Sequence, residues 1–211
     1  MKILKFCIFF VPAVLVLHFM FSAVPAQANQ PEARQALEAT VNEVLAELNK
    51  QALKNPATRA ASLERIEAII VNLFCFDELS MRTVGPSWQN FTSDQQQRFI
   101  DAFKTLLRAR YTGALEGYNG GSVTYGREAP VGSSTDKVQI DTTVNLPDKS
   151  VPMHYRLIMK DKWMVYDIII EGVSMVQNYR SQFQSVLSKN DPEELIRLVK
   201  QKAEESAAQN K

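Results

Sequence analysis

The stretch Trp163–Phe183, WMVYDIIIEGVSMVQNYRSQF, passes from a predicted strand through a turn into a predicted helix. Aromatic and β-branched residues favour a strand over Trp163–Ile170. The dipeptide Glu171-Gly172 interrupts that run, and Ser174 can then cap a helix whose apolar residues recur at helical spacing. Because burying a bare carboxylate costs several kcal/mol, we expect Asp167 to be hydrogen-bonded, paired with a cation or placed at a cavity mouth.

Residues 1–28 have the pattern of a secretory signal. Lys2 and Lys5 precede an apolar run over Phe6–Val24, and Ala26-Gln27-Ala28 supplies the small residues of a cleavage site. The alternative is an uncleaved anchor helix, although the apolar run is somewhat short for a membrane span. We expect export from the cytoplasm, with a mature chain that begins at residue 29.

Charge and cysteine usage argue against several classes of protein. Removal of Lys2 and Lys5 lowers the 24 basic side chains to 22, against 23 acidic ones, so the mature chain has no basic excess for nucleic acid. Its only thiol is Cys75 and its only histidine is His154, so no zinc-ligand spacing and no catalytic triad is suggested. We predict no metal, no cofactor and no catalytic residue, and we interpret Cys75 as a small buried core residue and His154 as solvated.

Apolar residues recur every three or four positions in several segments, which predicts helices. The clearest start is Thr92-Ser93-Asp94-Gln95, a capping box that satisfies first-turn amides and opens a long aromatic helix. Asp191-Pro192-Glu193-Glu194 is a second strong start, with a cap, a proline in the first turn and acids at the positive end of the helix dipole. Further helices are predicted over Pro31–Asn49, Leu63–Phe74 and Phe76–Val84.

The hydrophobic period changes to two after Gly121, which predicts strands. Tight turns separate the strands, so we predict an α+β fold in which a curved antiparallel β-meander packs on helices, with an N-terminal helical extension. No pattern fixes the boundaries between Gly120 and Lys137. The predicted strands lie near Val123–Tyr125 and over Val138–Leu146, Val151–Met159 and Trp163–Ile170.

A large amount of apolar and aromatic surface falls on few elements. It covers one side of the long helix and alternate positions of the third and fourth strands, where Met164, Tyr166, Ile168 and Ile170 are expected on one face. Such stripes usually form a packed core, which periodicity alone favours. The alternative is a lined cavity, since a curved sheet wrapped on helices can enclose one.

Several motifs resemble those of the MlaC family, also called toluene-tolerance or ABC-transporter auxiliary proteins. The most specific is Tyr166–Ser174, YDIIIEGVS, followed by Asn178-Tyr179-Arg180 and Phe183. A second series extends the resemblance over nearly the whole mature chain and consists of Phe76-Asp77, Met81, Gly85, Trp88, Thr92, Gln96, Phe99, Phe103, Leu106-Leu107 and Tyr111.

The resemblance implies a nuclear-transport-factor-like cone and a periplasmic carrier of Gram-negative bacteria, not an enzyme. Such a carrier shields phospholipid acyl chains in a hydrophobic pocket between the outer membrane and an inner-membrane ABC transporter. The implied partners are a phospholipid or hopanoid-type lipid, an MCE-type transporter subunit and an outer-membrane lipoprotein complex. The implied organisation is a signal peptide at 1–28, one lipid-binding domain at 29–205 and a polar tail at 206–211. The lipid-binding domain is expected to have three parts: a helical part at 29–90, the long helix with the sheet and the following helix at 91–187, and a C-terminal helix at 188–205.

On this hypothesis the acyl chains enter between the sheet and the long helix, and the headgroup stays in water. The predicted pocket lining consists of Phe99, Phe103, Leu107, Tyr111, Met153, Tyr155, Leu157, Tyr166, Ile168, Ile170 and Val173. A second set of residues is interpreted as fixing the corner between the fourth strand and the following helix, and we expect Arg180 to pair there with an acid such as Glu171. The set consists of Asp167, Glu171, Gly172, Ser174, Asn178, Tyr179 and Arg180.

Two other functions fit the same residues. An isomerase or dehydratase of the same cone fold would use Asp167 with Tyr155 as an acid–base pair, but no second acid–base partner is evident. A lipid-free periplasmic adaptor of a transporter would instead use the N-terminal helices over Pro31–Phe74 as a docking surface. The lipid carrier is favoured because the resemblance extends over nearly the whole mature chain.

Overall fold

The structure is a computed structural model that describes residues 30–50, 55–116, 118 and 120–209. The predicted signal peptide, residues 1–28, lies outside the described residues. Helices come first, an antiparallel sheet follows, and two helices complete the described chain. This order confirms the predicted α+β class with an N-terminal helical extension. Among the described residues, no helix combines the length and hydrophobicity needed to cross a membrane.

The described part of the chain contains six α-helices and one 3-10 helix. The α-helices are α1 (Gln30–Leu48), α2 (Pro56–Leu73), α3 (Phe76–Val84), α4 (Ser93–Glu116), α5 (Met175–Leu187) and α6 (Pro192–Gln209). The 3-10 helix, Gly85–Asn90, links α3 to α4 directly after Val84, the predicted end of α3. Gly85 permits this link because its φ is 68°, in the left-handed region that glycine tolerates.

The helix starts follow the caps expected from the sequence. The capping box of α4 is confirmed, because Thr92 N donates to Gln95 Oε1 at 2.9 Å and Gln95 N donates to Thr92 Oγ1 at 3.2 Å. At the start of α6, Glu194 N donates to Asp191 Oδ1 at 3.0 Å. That helix continues to Gln209, beyond the expected start of the polar tail at residue 206.

In the part of the chain that the structure describes, five strands form one antiparallel sheet in the order β1-β2-β3-β4-β5. They are β1 (Ser122–Pro130), β2 (Lys137–Asn145), β3 (Ser150–Met159), β4 (Trp163–Ile170) and β5 (Val173–Ser174). The predicted bounds of β4 are confirmed. β1 is longer than predicted, and β5 is an additional short strand in which Val173 pairs with Ile170 across the turn at Glu171-Gly172.

A bulge in β4 changes which side chains share a face of the sheet. Leu157 pairs with Val165 and Arg156 pairs with Asp167, so Tyr166 is the extra residue on β4. Alternation is therefore broken at Tyr166, and the expectation of one shared apolar face along β4 is wrong. Met164 and Tyr166 pack on one side of the sheet, whereas Ile168 packs on the other.

Buried apolar side chains form two main clusters. One is a helical core built from α3, α4, α5 and α6. The other lies between α1 and the sheet, where Ala33 and Leu37 of α1 pack against the strands. We call the side of the sheet that α1 covers the α1 face, and the register assigns to it Val138, Ile140 and Thr142 of β2, Met153, Tyr155 and Leu157 of β3, and Val165, Ile168 and Ile170 of β4.

Candidate functional site

The α1 face is mainly apolar, and its burial is uneven along the strands. Near α1 it is completely buried, because Ile140, Leu157 and Val165 expose none of their surface. We call the end of the sheet that carries the β2–β3 and β4–β5 turns the β4–β5 end. Toward this end, Met153 and Tyr155 of β3 are only partly buried, as are Ile168 and Ile170 of β4. Five of the predicted lining residues, including Leu157, therefore share this face, and four of them lie in its less covered half.

Two polar groups on this face use neighbouring atoms as partners. The Thr142 hydroxyl donates to the carbonyl oxygen of Met153, and the Tyr155 hydroxyl donates to Met153 Sδ at 3.1 Å. Burial raises the pKa of Tyr155 above its usual range, so the phenol stays protonated at neutral pH. The face thus combines alkyl and thioether surface with phenolic O–H groups.

Three predicted lining residues of α4 lie in the helical core. The Phe103 ring centroid is 4.9 Å from that of Tyr179 and 5.4 Å from that of Phe183, both in edge-to-face geometry. Phe99 is 5.5 Å from Phe183 in the same arrangement, and Leu107 is buried in the same cluster. In this conformation these side chains contact α5 and the other helices of that core.

Tyr166 lies on the side of the sheet opposite to α1. It is buried in a small cluster with Cys75 and Ile158, and the guanidinium of Arg82 sits 4.5 Å from the centre of its ring. Cys75 is buried, as the sequence predicts. The β4 bulge is the reason that Tyr166 is separated from the other strand residues of the predicted lining.

Tyr111 and Val173 are the exposed members of the predicted lining. Tyr111 keeps 39% of its surface accessible, although its hydroxyl lies 3.9 Å from Met175 Sδ, and Val173 keeps 61%. Val173 follows the β4–β5 turn and therefore lies at the β4–β5 end of the sheet. The exposed Val173 side chain distinguishes that end of the sheet from the end that α1 covers.

The strand-to-helix corner is held by Asp167, which is almost fully buried. Its carboxylate accepts from Ser174 Oγ at 2.7 Å and from Val176 N at 3.0 Å, and Arg156 Nη1 lies 3.3 Å away. These hydrogen bonds and the nearby guanidinium compensate the free energy lost when the carboxylate is removed from water. Ser174 in turn caps α5 by accepting from Gln177 N.

The remaining corner residues have different partners from one another. Arg180 Nε donates to the carbonyl oxygen of Arg82 at 2.7 Å, which joins α5 to α3, so the expected pairing with Glu171 is not the contact it makes. Asn178 accepts from Gln182 within α5 at 3.3 Å. Tyr179 is buried in the helical core, where burial raises its pKa to about 12.

Other chemistry-bearing groups are scattered. The described residues contain no cluster of three His, Cys, Asp or Glu side chains that could hold a metal. His154 is partly buried rather than solvated, and its Nδ1 lies 3.3 Å from Asp141 Oδ1 on the side of the sheet opposite to α1. An open groove of about 410 Å³ runs between α1, α2 and the start of β4, and the described residues that line it include no member of the predicted pocket.

An antiparallel sheet with a largely apolar face, packed on helices, is an architecture typical of proteins that bind apolar ligands. A model of the MlaC protein family matches residues 38–201, and the chain belongs to that family. This confirms the resemblance seen in the sequence and the prediction that the chain is not an enzyme.

Individual relatives agree with this assignment. The chain is 28% identical over 181 residues to the toluene tolerance protein ttg2D of Pseudomonas putida, covering 84% of this chain and 82% of that one. It is 24% identical over 129 residues to the intermembrane phospholipid transport system binding protein MlaC of Haemophilus influenzae, covering 58% of this chain and 59% of that one. A solved phospholipid-binding protein of Ralstonia solanacearum, in complex with a phospholipid, superposes with a TM-score of 0.72 at 27% identity over 83% of this chain and 99% of that one.

Proposed function

We propose that this chain is a periplasmic carrier that shields the acyl chains of a phospholipid while the lipid crosses between two membranes. The observation that supports it most directly is the similarity to the Ralstonia protein in complex with a phospholipid, which extends over 83% of this chain. The partly buried, apolar half of the α1 face supplies a surface of matching chemistry.

The physical need for such a carrier follows from the hydrophobic effect. At about 0.8 kcal/mol per buried CH₂, an acyl chain of roughly sixteen carbons is disfavoured in water by on the order of 12 kcal/mol. Two chains roughly double that free energy. Unassisted transfer across an aqueous compartment is therefore very slow, and a protein that covers the chains removes most of the barrier.

The acyl chains are proposed to enter at the β4–β5 end of the sheet. Tyr111 and Val173 are exposed there, whereas α1 packs directly on the strands at the opposite end. Chains that slide along the α1 face would contact Met153, Tyr155, Leu157, Ile168 and Ile170. The helical core residues Phe99, Phe103 and Leu107, together with Tyr166, are proposed to support the walls around the bound lipid.

The exchange partners are proposed by analogy with the relatives. The Haemophilus relative is named as the binding protein of an intermembrane phospholipid transport system. An inner-membrane ABC transporter with an MCE-type subunit and an outer-membrane lipoprotein complex would then exchange lipid with this chain. The signal-like segment at residues 1–28 supports a periplasmic location.

Native mass spectrometry of the chain from residue 29 onward tests the proposal. The protein is purified from a periplasmic fraction without detergent, and its ligand is extracted into organic solvent and identified. We expect a stoichiometric mass shift equal to a phospholipid or a hopanoid-type lipid. A folded protein that is empty and takes up no lipid from vesicles would contradict the proposal and favour a lipid-free adaptor.

A pair of matched variants localises the site. Ile168→Trp adds bulk to the α1 face, whereas Ile69→Trp makes the same change at a partly buried position that lines the groove between α1 and α2. We expect Ile168→Trp to lose most of its bound lipid and Ile69→Trp to keep it, with both folded by circular dichroism. Equal retention by both variants would place the lipid away from the α1 face.

A further inference from the structure

A second bulge, in β1, brings polar side chains onto the α1 face. Tyr125 pairs with Thr142 and Glu128 pairs with Ile140, so three steps along β1 correspond to two steps along β2. Without the extra residue, Tyr125 and Glu128 would point to opposite sides of the sheet. The bulge instead places both on the side of Thr142 and Ile140, which is the α1 face.

Buried polar atoms at this bulge lack hydrogen-bond partners. The Tyr125 hydroxyl and Glu128 Oε1 are both inaccessible to solvent, and neither has a partner among the residues that the structure describes. Tyr155 lies in the same row, since Ile140 pairs with Glu128 on one side and with Tyr155 on the other. Its hydroxyl donates to the thioether sulfur of Met153, which is a weak acceptor. Buried polar groups are normally satisfied, so the Tyr125 hydroxyl calls for an acceptor, whereas Glu128 Oε1 calls for a donor.

The charges near Tyr125 decide which kind of acceptor can approach its hydroxyl. Arg34 of α1 donates to the carbonyl oxygen of Gly126, and its Nε lies 3.5 Å from Glu128 Oε2, which leaves Oε1 of the same carboxylate unpaired. The carboxylate of Glu38 also acts on Tyr125 and Glu128. Two carboxylates beside one guanidinium repel an anion, so a phosphate is disfavoured here.

The two phenols present donors for a neutral acceptor. Burial raises the pKa of Tyr125 to about 12 and also raises that of Tyr155, so both hydroxyls keep their protons at neutral pH. In a lipid with its chains buried and its headgroup in water, the neutral acceptors nearest the chains are the carbonyl oxygens of the acyl esters. An ether-linked lipid of the same shape lacks those oxygens.

We infer that Tyr125 and Tyr155 form a subsite that donates hydrogen bonds to the ester carbonyl oxygens of the bound lipid. The inference rests on the proposed lipid-carrier function and deepens it by giving the site a chemical preference. The carrier would distinguish ester-linked from ether-linked lipids, while chain length and headgroup contribute separately.

The test compares two lipids that differ only in linkage. Purified, delipidated full-length mature chain is incubated with vesicles doped with either a diacyl phosphatidylglycerol or its dialkyl ether analogue of equal chain length. Bound lipid is counted by native mass spectrometry. Because a hydrogen bond of this kind typically changes an equilibrium constant by about threefold to tenfold, we expect the diacyl lipid to be preferred by about that factor.

Phenylalanine variants assign the preference to particular hydroxyls. Tyr125→Phe and Tyr155→Phe should each reduce the ester preference, measured as the ratio of diacyl to ether lipid bound, and the double variant should abolish it. Tyr118→Phe is the matched control, because the Tyr118 hydroxyl donates to the backbone carbonyl of Gly121 at 3.2 Å. The control should retain the full preference.

The possible outcomes distinguish failure of the ester subsite from failure of the proposed lipid-carrier function. Equal loading of the two lipids by the unmodified chain would overturn the ester subsite and leave the lipid carrier standing. An ester preference that survives the double variant would also overturn the assignment to Tyr125 and Tyr155. Failure to load either lipid would overturn the proposed function itself. The comparison on the unmodified chain keeps the inference falsifiable if a variant does not fold.

Discussion

Ser174 Oγ donates a hydrogen bond of 2.7 Å to Asp167 Oδ2 from across the β4–β5 turn. The other oxygen of the same carboxylate accepts from Val176 N in the first turn of α5 at 3.0 Å. Asp167 therefore ties the end of a strand to the start of a helix, and Arg156 Nη1 at 3.3 Å balances its charge. The corner joins the sheet to the helical core through one buried side chain.

Replacing the carboxylate of Asp167 should destabilise this corner. Asp167→Asn substitutes an amide N–H₂ for one acceptor oxygen, so either Ser174 or Val176 loses its partner in a buried site. We expect the free energy of unfolding to fall by about 1–3 kcal/mol, measured by urea denaturation of delipidated protein.

Asp161→Asn, in the exposed turn between β3 and β4, is the control and should change little. Lipid loading per folded molecule should be unchanged in both variants. A loss of loading in correctly folded Asp167→Asn would show that Asp167 contacts the ligand.

The aromatic cluster around Phe103 should contribute strongly to stability even without lipid. Phe103 exposes none of its surface and contacts the rings of Tyr179 and Phe183. Phe103→Ala should therefore lower the free energy of unfolding of delipidated protein by about 3–5 kcal/mol, the range for a large buried side chain.

Val173→Ala, at an exposed position, is the comparison and should cost under about 0.5 kcal/mol. If Phe103→Ala changed lipid uptake with little effect on stability, Phe103 would line the pocket rather than the helical core.

The two-residue turn between β4 and β5 should respond in opposite directions to two substitutions. Glu171 and Gly172 both have positive φ, 49° and 83°, as in the primed turns that match the twist of a hairpin. A Cβ added by Gly172→Ala would meet no atom within 4 Å, so only backbone strain should lower the free energy of unfolding, by about 1–2 kcal/mol.

Glu171→Asn should instead raise the thermal midpoint slightly, because asparagine tolerates the left-handed region better than glutamate does. Thermal unfolding followed by circular dichroism measures both changes. Equal effects of the same sign would contradict this account of the turn.

The ion pair between α4 and α6 should make stability depend on pH in the acid range. Arg98 Nη1 lies 2.9 Å from Glu193 Oε2, and this hydrogen bond lowers the pKa of Glu193 to about 2 from an ordinary value of 4.5. A lowered folded pKa means that the stabilisation is present above about pH 4.5 and is lost as the pH falls toward 2.

Glu193→Gln should therefore lower the urea midpoint at pH 7, and its difference from the unmodified chain should shrink between pH 4.5 and 2. The effect should be small and weaken with added salt, since the pair is exposed. Glu204→Gln, at an exposed position of the same helix, removes a carboxylate outside this ion pair and should change the urea midpoint at pH 7 little.

Local patterns in the sequence predicted the elements well where the signal is short-range. The bounds of β4 and the capping box at Thr92 follow from residue types and spacings within a few positions. The cap formed by Ser174 is similarly local, since its oxygen accepts from Gln177 N three residues later.

Features set by distant contacts were not predictable in the same way. The bulge at Tyr166 accompanies the bonds of Asp167 to Ser174 and Val176, and the bulge in β1 accompanies the contact of Arg34 with Gly126. Both bulges change which side chains share a face. Periodicity identified the apolar stripe of α4, but only the tertiary structure shows that the rings of α5 cover it.

The two edge strands of the sheet, one of them bulged, are poorly suited to pair with a strand of another molecule. An uninterrupted outer strand offers a row of free backbone groups on which another molecule can add a strand and begin to aggregate. Here β1 is bent by its bulge, ends at Pro130 and has the carbonyl of Gly126 capped by Arg34, while β5 at the other edge is only two residues long. For the proposed lipid carrier, whose apolar surface would be exposed during each exchange of cargo, such edges would limit strand addition between neighbouring molecules.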